Sequence, residues 1–289
     1  MSRLFTFGCS FTQYQWPTWA DILGQQHDFF ENWGKLGGGN HFIFNSLIEC
    51  INSRSISIDD TIMIMWSSIS REDRWVSGRG WVTPGSIYNQ TEYDSKFVQK
   101  WADPNGYLIR DMAFISAARR ILDSIGCVWC FMSIVPFDYH DDSKDPDNFS
   151  FDNRIKKVYN DDIGIIKPSV YETVFESDWY SRSGPIDKSA LAKKYDLFKG
   201  VDWPNKEDFL NDNLNQVSIN VFQEISALFK KDKIRTDDHP TPLEHLDYIN
   251  KVMPEINILD YTLDWIKQAD EAVLTNKEFL WDRHLPNRI

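Results

Sequence analysis

The sequence predicts a three-layer α/β/α fold of the flavodoxin-like kind, built on a mainly parallel central sheet. Three observations carry that expectation. Residues 4–7 alternate with β-favouring side chains and run directly into Gly8-Cys9-Ser10. Residues 62–66 and 127–135 are nearly continuous apolar runs of strand length, as expected of parallel strands buried on both faces. Between and beyond them lie longer stretches with apolar residues three and four apart, the period of a helix.

Taken in order, residues 4–7 form the first strand and residues 16–23 the first helix, with Pro17 suited to its first turn. A short second strand is expected within 29–36. The triple glycine 37–39 then permits unusual backbone angles or a close approach to a ligand. Asn40 starts a helix whose apolar stripe is Phe42, Ile43, Leu47, Ile48 and Ile51. After the strand at 62–66, residues 70–107 carry Trp75, Trp81, Tyr88, Tyr93, Phe97, Trp101 and Tyr107 among Gly, Ser, Asn and Pro, a long aromatic-rich connection. Met112, Ile115, Ala118, Ile121 and Leu122 mark a helix over 111–125 that Gly126 ends, and Pro136 closes the strand after it. Periodicity fails over 137–205. Helices are expected at 213–229, at 243–252 beside Pro242, and at 261–274 in an amphipathic tail. The organisation expected is one domain over 1–289, with an insertion at about 137–205 and a C-terminal tail at about 255–289.

Composition narrows the functions. The chain has 289 residues, is 42% hydrophobic and carries 31 Lys+Arg against 43 Asp+Glu, a net charge of −12. That balance disfavours nucleic acid and anionic membrane as partners. The start of the chain leaves no room for a charged region and an apolar signal core before the first strand, so a cytoplasmic location is expected. No apolar run approaches the roughly 20 residues of a membrane helix. Cys127 and Cys130 have the spacing of a redox or zinc pair, but within a strand residues three apart face opposite ways, which predicts inert buried thiols. His27, His41, His140 and His284 have no metal-ligand spacing, so neither metal nor cofactor is expected, and His245 reads as structural.

Ser10 lies where the first strand ends, at the sheet edge where ligands bind in open α/β folds, and a helix beginning beyond it would favour negative charge near its hydroxyl. A serine there becomes chemically interesting only with a histidine and a carboxylate. The far end of the chain offers Thr236-Asp237-Asp238-His239-Pro240-Thr241-Pro242.

Together these stretches resemble the first and last blocks of the SGNH (GDSL-like) hydrolases. Gly37-Gly38-Gly39-Asn40 resembles the family's glycine block, and Trp66-Ser67-Ser68-Ile69 stands where its third block would. The resemblance implies a serine esterase with Ser10 as nucleophile and His239 as base. Its oxyanion donors would be the backbone N–H groups of Ser10 and Gly39, with a side chain from Ser68 or Asn40. The chain departs from the family pattern at Cys9, Thr236 and Ser68. The family's acid, three residues before the histidine, falls on Thr236, so Asp237, or failing it Asp238, is expected in that role; the alternative is a serine-histidine pair without an acid, its imidazole held by a backbone carbonyl. Arg71 and Arg74 follow the third block and suit a carboxylate or phosphate of a substrate, as do Arg283 and Arg288 in the tail.

The function expected is hydrolysis of a small polar acyl ester, an acylated carbohydrate above all, since aromatic rings in 75–107 suit the apolar faces of sugars. Two other readings use the same residues: transfer of the acyl group to an acceptor, and a binding module that no longer turns over. The insertion, with 11 acidic and 5 basic residues over 138–178, and the tail are expected to cover the site as a lid, the alternative being that they only pad the core or form a dimer contact. Oligomeric state is left open.

Overall fold

The structure is a computed structural model that describes residues 2–87, 93–137, 152–176, 239–275 and 277–288. Four parallel strands, β1 (Arg3–Phe7), β2 (Phe29–Asn32), β3 (Asp60–Trp66) and β6 (Val128–Ser133), form a sheet in the order β2-β1-β3-β6. Alternation along each strand sends side chains to two cores. Phe5, Phe7, Ile62, Ile64, Trp66 and Phe131 pack on one face, under α2 (Asn40–Arg54) and α4 (Pro104–Ile125). Leu4, Met63, Met65 and Met132 pack on the other, against α1 (Trp19–Gly24), α8 (Pro242–Val252) and α9 (Asp260–Leu274). The three-layer expectation holds. Cys127 and Cys130 fall on opposite sides of the sheet, and burial pushes both thiols up.

Several local readings need revision. Pro17 precedes α1 rather than sitting in its first turn, because Thr18 is the cap and forms a reciprocal capping box with Asp21. The helix expected from Asp111 begins at Pro104, where the Asp103 carboxylate caps the N–H groups of Asn105 and Gly106, and Tyr107 and Leu108 extend the buried stripe. Gly126 ends it with φ +78°, a left-handed turn that glycine makes without strain.

Tyr88 lies outside the described residues; those described within 70–107 (70–87 and 93–107) are more ordered than a long connection. They hold an antiparallel hairpin, β4 (Arg74–Val76) with β5 (Gly80–Val82), followed by α3 (Ser95–Trp101). The aromatic side chains do pack on one another: Trp75 meets Trp81 edge-on, and Tyr93 stacks on Phe97.

The described part of the insertion holds three short helices, α5 (Asn153–Val158), α6 (Asn160–Gly164) and α7 (Val170–Thr173). It flanks β6, since the N–H groups of Lys167 and Tyr171 donate to the carbonyls of Phe131 and Ile134. Val170 and Phe175 are buried in the core. The tail flanks the opposite edge: Asn32 N–H donates to the His284 carbonyl at 2.9 Å. The described parts of both segments therefore cover edge strands that would otherwise present unpaired backbone groups. The rest of the insertion and the helix expected at 213–229 lie outside the described residues. No described helix is long and apolar enough to cross a membrane.

Candidate active site

The chain turns sharply after β1. A Cβ on Gly8 would lie 2.0 Å from Thr12 Oγ1 and 3.0 Å from the Met65 carbonyl, so only glycine fits. The Cys9 carbonyl then accepts N–H bonds from Thr12 and Gln13, closing a turn that contains the buried Ser10. No helix begins there; α1 starts at Trp19, so the helix-dipole assistance expected beside Ser10 is missing. Side-chain bonds hold the turn instead. The Thr12 carbonyl accepts from Thr18 Oγ1 at 2.6 Å and Asn32 Nδ2 at 2.8 Å, and the Gly8 carbonyl from Lys35 N–H. Behind them Asp21 is buried, which pushes its carboxyl up to about 6 against the hydrogen bonds it accepts from Thr18.

His239 reaches this turn from the other end of the chain. It stands just before α8, whose cap is Thr241 in a capping box with Glu244, with Pro242 in the first turn. Trp16 Nε1 donates to the Pro240 carbonyl at 2.8 Å, tying the histidine's neighbour to the segment after Ser10. His239 Nε2 lies 2.7 Å from Ser10 Oγ, across 229 positions of sequence. The imidazole stacks on Tyr14 and leans on Phe11. Phe11, Tyr14 and Trp16 carry no motif by themselves; only the turn's curvature brings them around the histidine. Asp237 and Asp238 lie outside the described residues.

The loop after β3 supplies the third part. Asn40 is fully buried and joins this loop to α4: its Nδ2 donates to the Ser67 carbonyl at 3.0 Å and to Asp111 Oδ2 at 2.8 Å, and its Oδ1 accepts the Ser67 N–H. Both hydrogens expected for an oxyanion are thus engaged. Gly39 N–H donates to both Asp73 oxygens, at 2.9 and 3.1 Å, and Phe42 N–H to one of them. Asp73 caps α2 because Gly39, at the cap position, has no side chain to do so. The Gly39 donor expected for the oxyanion is therefore engaged too. Burial pushes the Asp73 carboxyl up despite those bonds, and pushes Asp111 up to about 6 despite Arg110 beside it.

Ser68 Oγ accepts from Arg71 Nε at 3.3 Å, while Arg71 Nη1 donates to the Gly38 carbonyl. Arg74 pairs with Glu72 at 2.8 Å, so it is not a bare cation. Arg288 is sandwiched between Trp33 and Phe42 and donates to the Gly34 carbonyl, and burial lowers its pKa to about 10. It is a packing residue. Arg283 lies over Trp281. No group of three or more metal-ligating side chains occurs among the described residues.

No family model matches this chain, and no curated protein is a significant match. Two solved structures are similar in part. One, a member of the lipolytic G-D-S-L family from Veillonella parvula DSM 2008, is 15% identical over 64% of this chain and 85% of its own, with a TM-score of 0.34. The other, a mutant of an acetyl-xylooligosaccharide esterase from Geobacillus Stearmophilus, is 15% identical over 61% of this chain and 80% of its own, with a TM-score of 0.35. At such scores the likeness carries no weight for function, which has to be argued from the residues themselves.

Proposed function

We propose that the protein is a serine esterase or deacetylase of the SGNH type, acting on a small polar acyl ester such as an acylated carbohydrate. The observation that carries this reading is the 2.7 Å approach of His239 Nε2 to Ser10 Oγ, at the C-terminal edge of a parallel sheet. In the proposed reaction Ser10 Oγ attacks the ester carbonyl as His239 Nε2 takes its proton. The imidazolium then gives that proton to the departing alcohol, leaving Ser10 acylated. Water, activated by the same nitrogen, releases the acid and restores the serine.

The oxyanion would be held by the Ser10 N–H and the Ser68 hydroxyl. Ser68 Oγ accepts from Arg71, which leaves its own hydrogen able to donate. Arg71 is proposed to orient Ser68 and to bind a polar oxygen of the substrate. Asp237 is proposed to hold the His239 tautomer.

The test is hydrolysis of p-nitrophenyl acetate, with mass spectrometry after a fluorophosphonate probe. Activity and a single adduct on Ser10 are expected, both absent in Ser10→Ala and reduced at least about a hundredfold in His239→Ala. Undiminished turnover in Ser10→Ala would overturn the proposal.

A further inference from the structure

Away from the Ser10–His239 pair, a cavity of about 430 Å3 opens between the loop after β3 and the start of α4. Glu72, Arg74, Phe97, Trp101, Tyr107 and Arg110 line it. Its size falls in the ordinary range of small-ligand sites. None of these side chains is needed for the proposed chemistry, and their arrangement limits what could bind.

The charges are arranged in pairs. Glu72 Oε1 meets Arg74 Nη2 at 2.8 Å and Oε2 meets Arg110 Nη1 at 3.1 Å, while Arg110 Nε donates to Asp111 Oδ1 at 2.7 Å. An anionic ligand would have to compete with these carboxylates for the two guanidinium groups, and with Asp103 at the rim. A purely apolar ligand would strip water from four charged side chains without replacing their hydrogen bonds. The aromatic rings complete the wall. Phe97 lies between Arg74 and Tyr93, and Tyr107 is buried under Arg110. Trp101, with Lys100 over its ring and 60% of its surface exposed, is the ring left for a ligand.

Such a wall suits a ligand with hydroxyls that donate to carboxylates while accepting from guanidinium groups, and with a C–H face that lies on Trp101. We infer that the cavity is a subsite for a neutral sugar ring of a glycan chain. Asp103 Oδ1 is occupied by the Asn105 and Gly106 N–H groups, so Oδ2 is the oxygen offered to a hydroxyl. The cavity shares the 71–74 segment with the Ser68 loop, since Arg110 Nη2 donates to the Arg71 carbonyl at 2.9 Å. Its link to catalysis rests on the proposed esterase reading: a glycan held here would present a neighbouring acylated sugar toward Ser10. Binding itself does not depend on that reading.

The experiment is calorimetric titration of the full chain and of Ser10→Ala with neutral tetrasaccharides of β-1,4-linked xylose, glucose and N-acetylglucosamine, and with tetragalacturonate as the acidic comparator. At least one neutral tetrasaccharide should bind both proteins equally. Trp101→Ala should weaken it about tenfold, since an aromatic face contributes roughly that much. Gly106→Leu should abolish it by filling the cavity; a Cβ there meets nothing closer than Asp103 Cβ at 3.6 Å, so the helix accepts the change. Binding of the acidic sugar alone, binding of none, or neutral binding unchanged in both variants would overturn the inference. If Ser10→Ala binds while the wild-type chain shows no esterase activity, the subsite stands and the esterase reading falls.

Discussion

The ring of Tyr14 lies face to face on the imidazole of His239, with centroids 3.9 Å apart and planes 17° from parallel. Tyr14 is braced in turn by Trp16, edge-on at 4.6 Å, and Trp16 holds the Pro240 carbonyl. A histidine packed this way keeps its Nε2 toward Ser10. Tyr14→Phe should keep the activity. Tyr14→Ala should lower kcat about tenfold with little change in KM. Steady-state kinetics on p-nitrophenyl acetate checks this, and an unchanged kcat in Tyr14→Ala would show that the stack only fills space.

Ser10 and His239 are proposed to act as one unit, so their losses should not add. The double variant Ser10→Ala/His239→Ala should be no slower than Ser10→Ala alone. A further fall of tenfold or more, measured at high enzyme concentration, would mean that His239 works on some other group.

Asp73 serves α2 through three N–H contacts, from Gly39 to both of its oxygens and from Phe42 to one. Asp73→Ala leaves these buried donors unmatched and should cost about 1–3 kcal/mol in urea unfolding. Gly39→Ala should be at least as damaging, because a Cβ would come within 2.7 Å of Arg71 Cβ and of Asp73 Oδ2. Wild-type midpoints for both variants would contradict this account of the loop.

Burial raises Asp21 from its ordinary 3.8 to about 6 in the folded protein. Between those values the folded chain binds more protons at this site than the unfolded chain, so Asp21 makes stability fall as pH rises from about 4 to about 6. In Asp21→Asn that contribution disappears. The difference in unfolding free energy between pH 4 and pH 7 should therefore shift toward greater relative stability at pH 7. Urea curves at the two pH values measure it; identical pH dependence in both proteins would refute the assignment.

Removing residues 276–289 should act on stability rather than on substrate choice. Those residues cover β2 through the Asn32 to His284 bond and shield Trp33 and Phe42 with Arg288. The truncated chain should melt at a lower temperature and self-associate through the bared edge. Unchanged melting with altered ester selectivity would support a lid instead.

How much was legible beforehand follows from the range of the interactions. The strands at 4–7, 62–66 and 127–135, the helices beginning at Asn40 and Pro242, and the stop at Gly126 are written in local pattern: apolar period, caps and a left-handed glycine. Ser10 and His239 were visible as well, because each sits in a short motif beside a proline or a glycine. What sequence alone could not decide was which backbone and side-chain donors are already in use. Gly39 and Asn40 read as oxyanion donors until Asp73 and Asp111, 34 and 71 positions away, are seen to occupy them. The same holds for Arg74, neutralised by Glu72, and for Arg288, packed between Trp33 and Phe42.

The chain's order of apolar and polar residues thus determined the layers, the sheet's buried middle strands and the edge at which Ser10 and His239 emerge. Only the tertiary structure decided that these two meet at 2.7 Å, that Tyr14 stacks on the histidine, and that the tail seals β2. The physical reason is that periodicity and capping depend on neighbours a few residues apart. Hydrogen-bond partners and stacked rings depend on distances that exist only once the sheet has brought distant segments together.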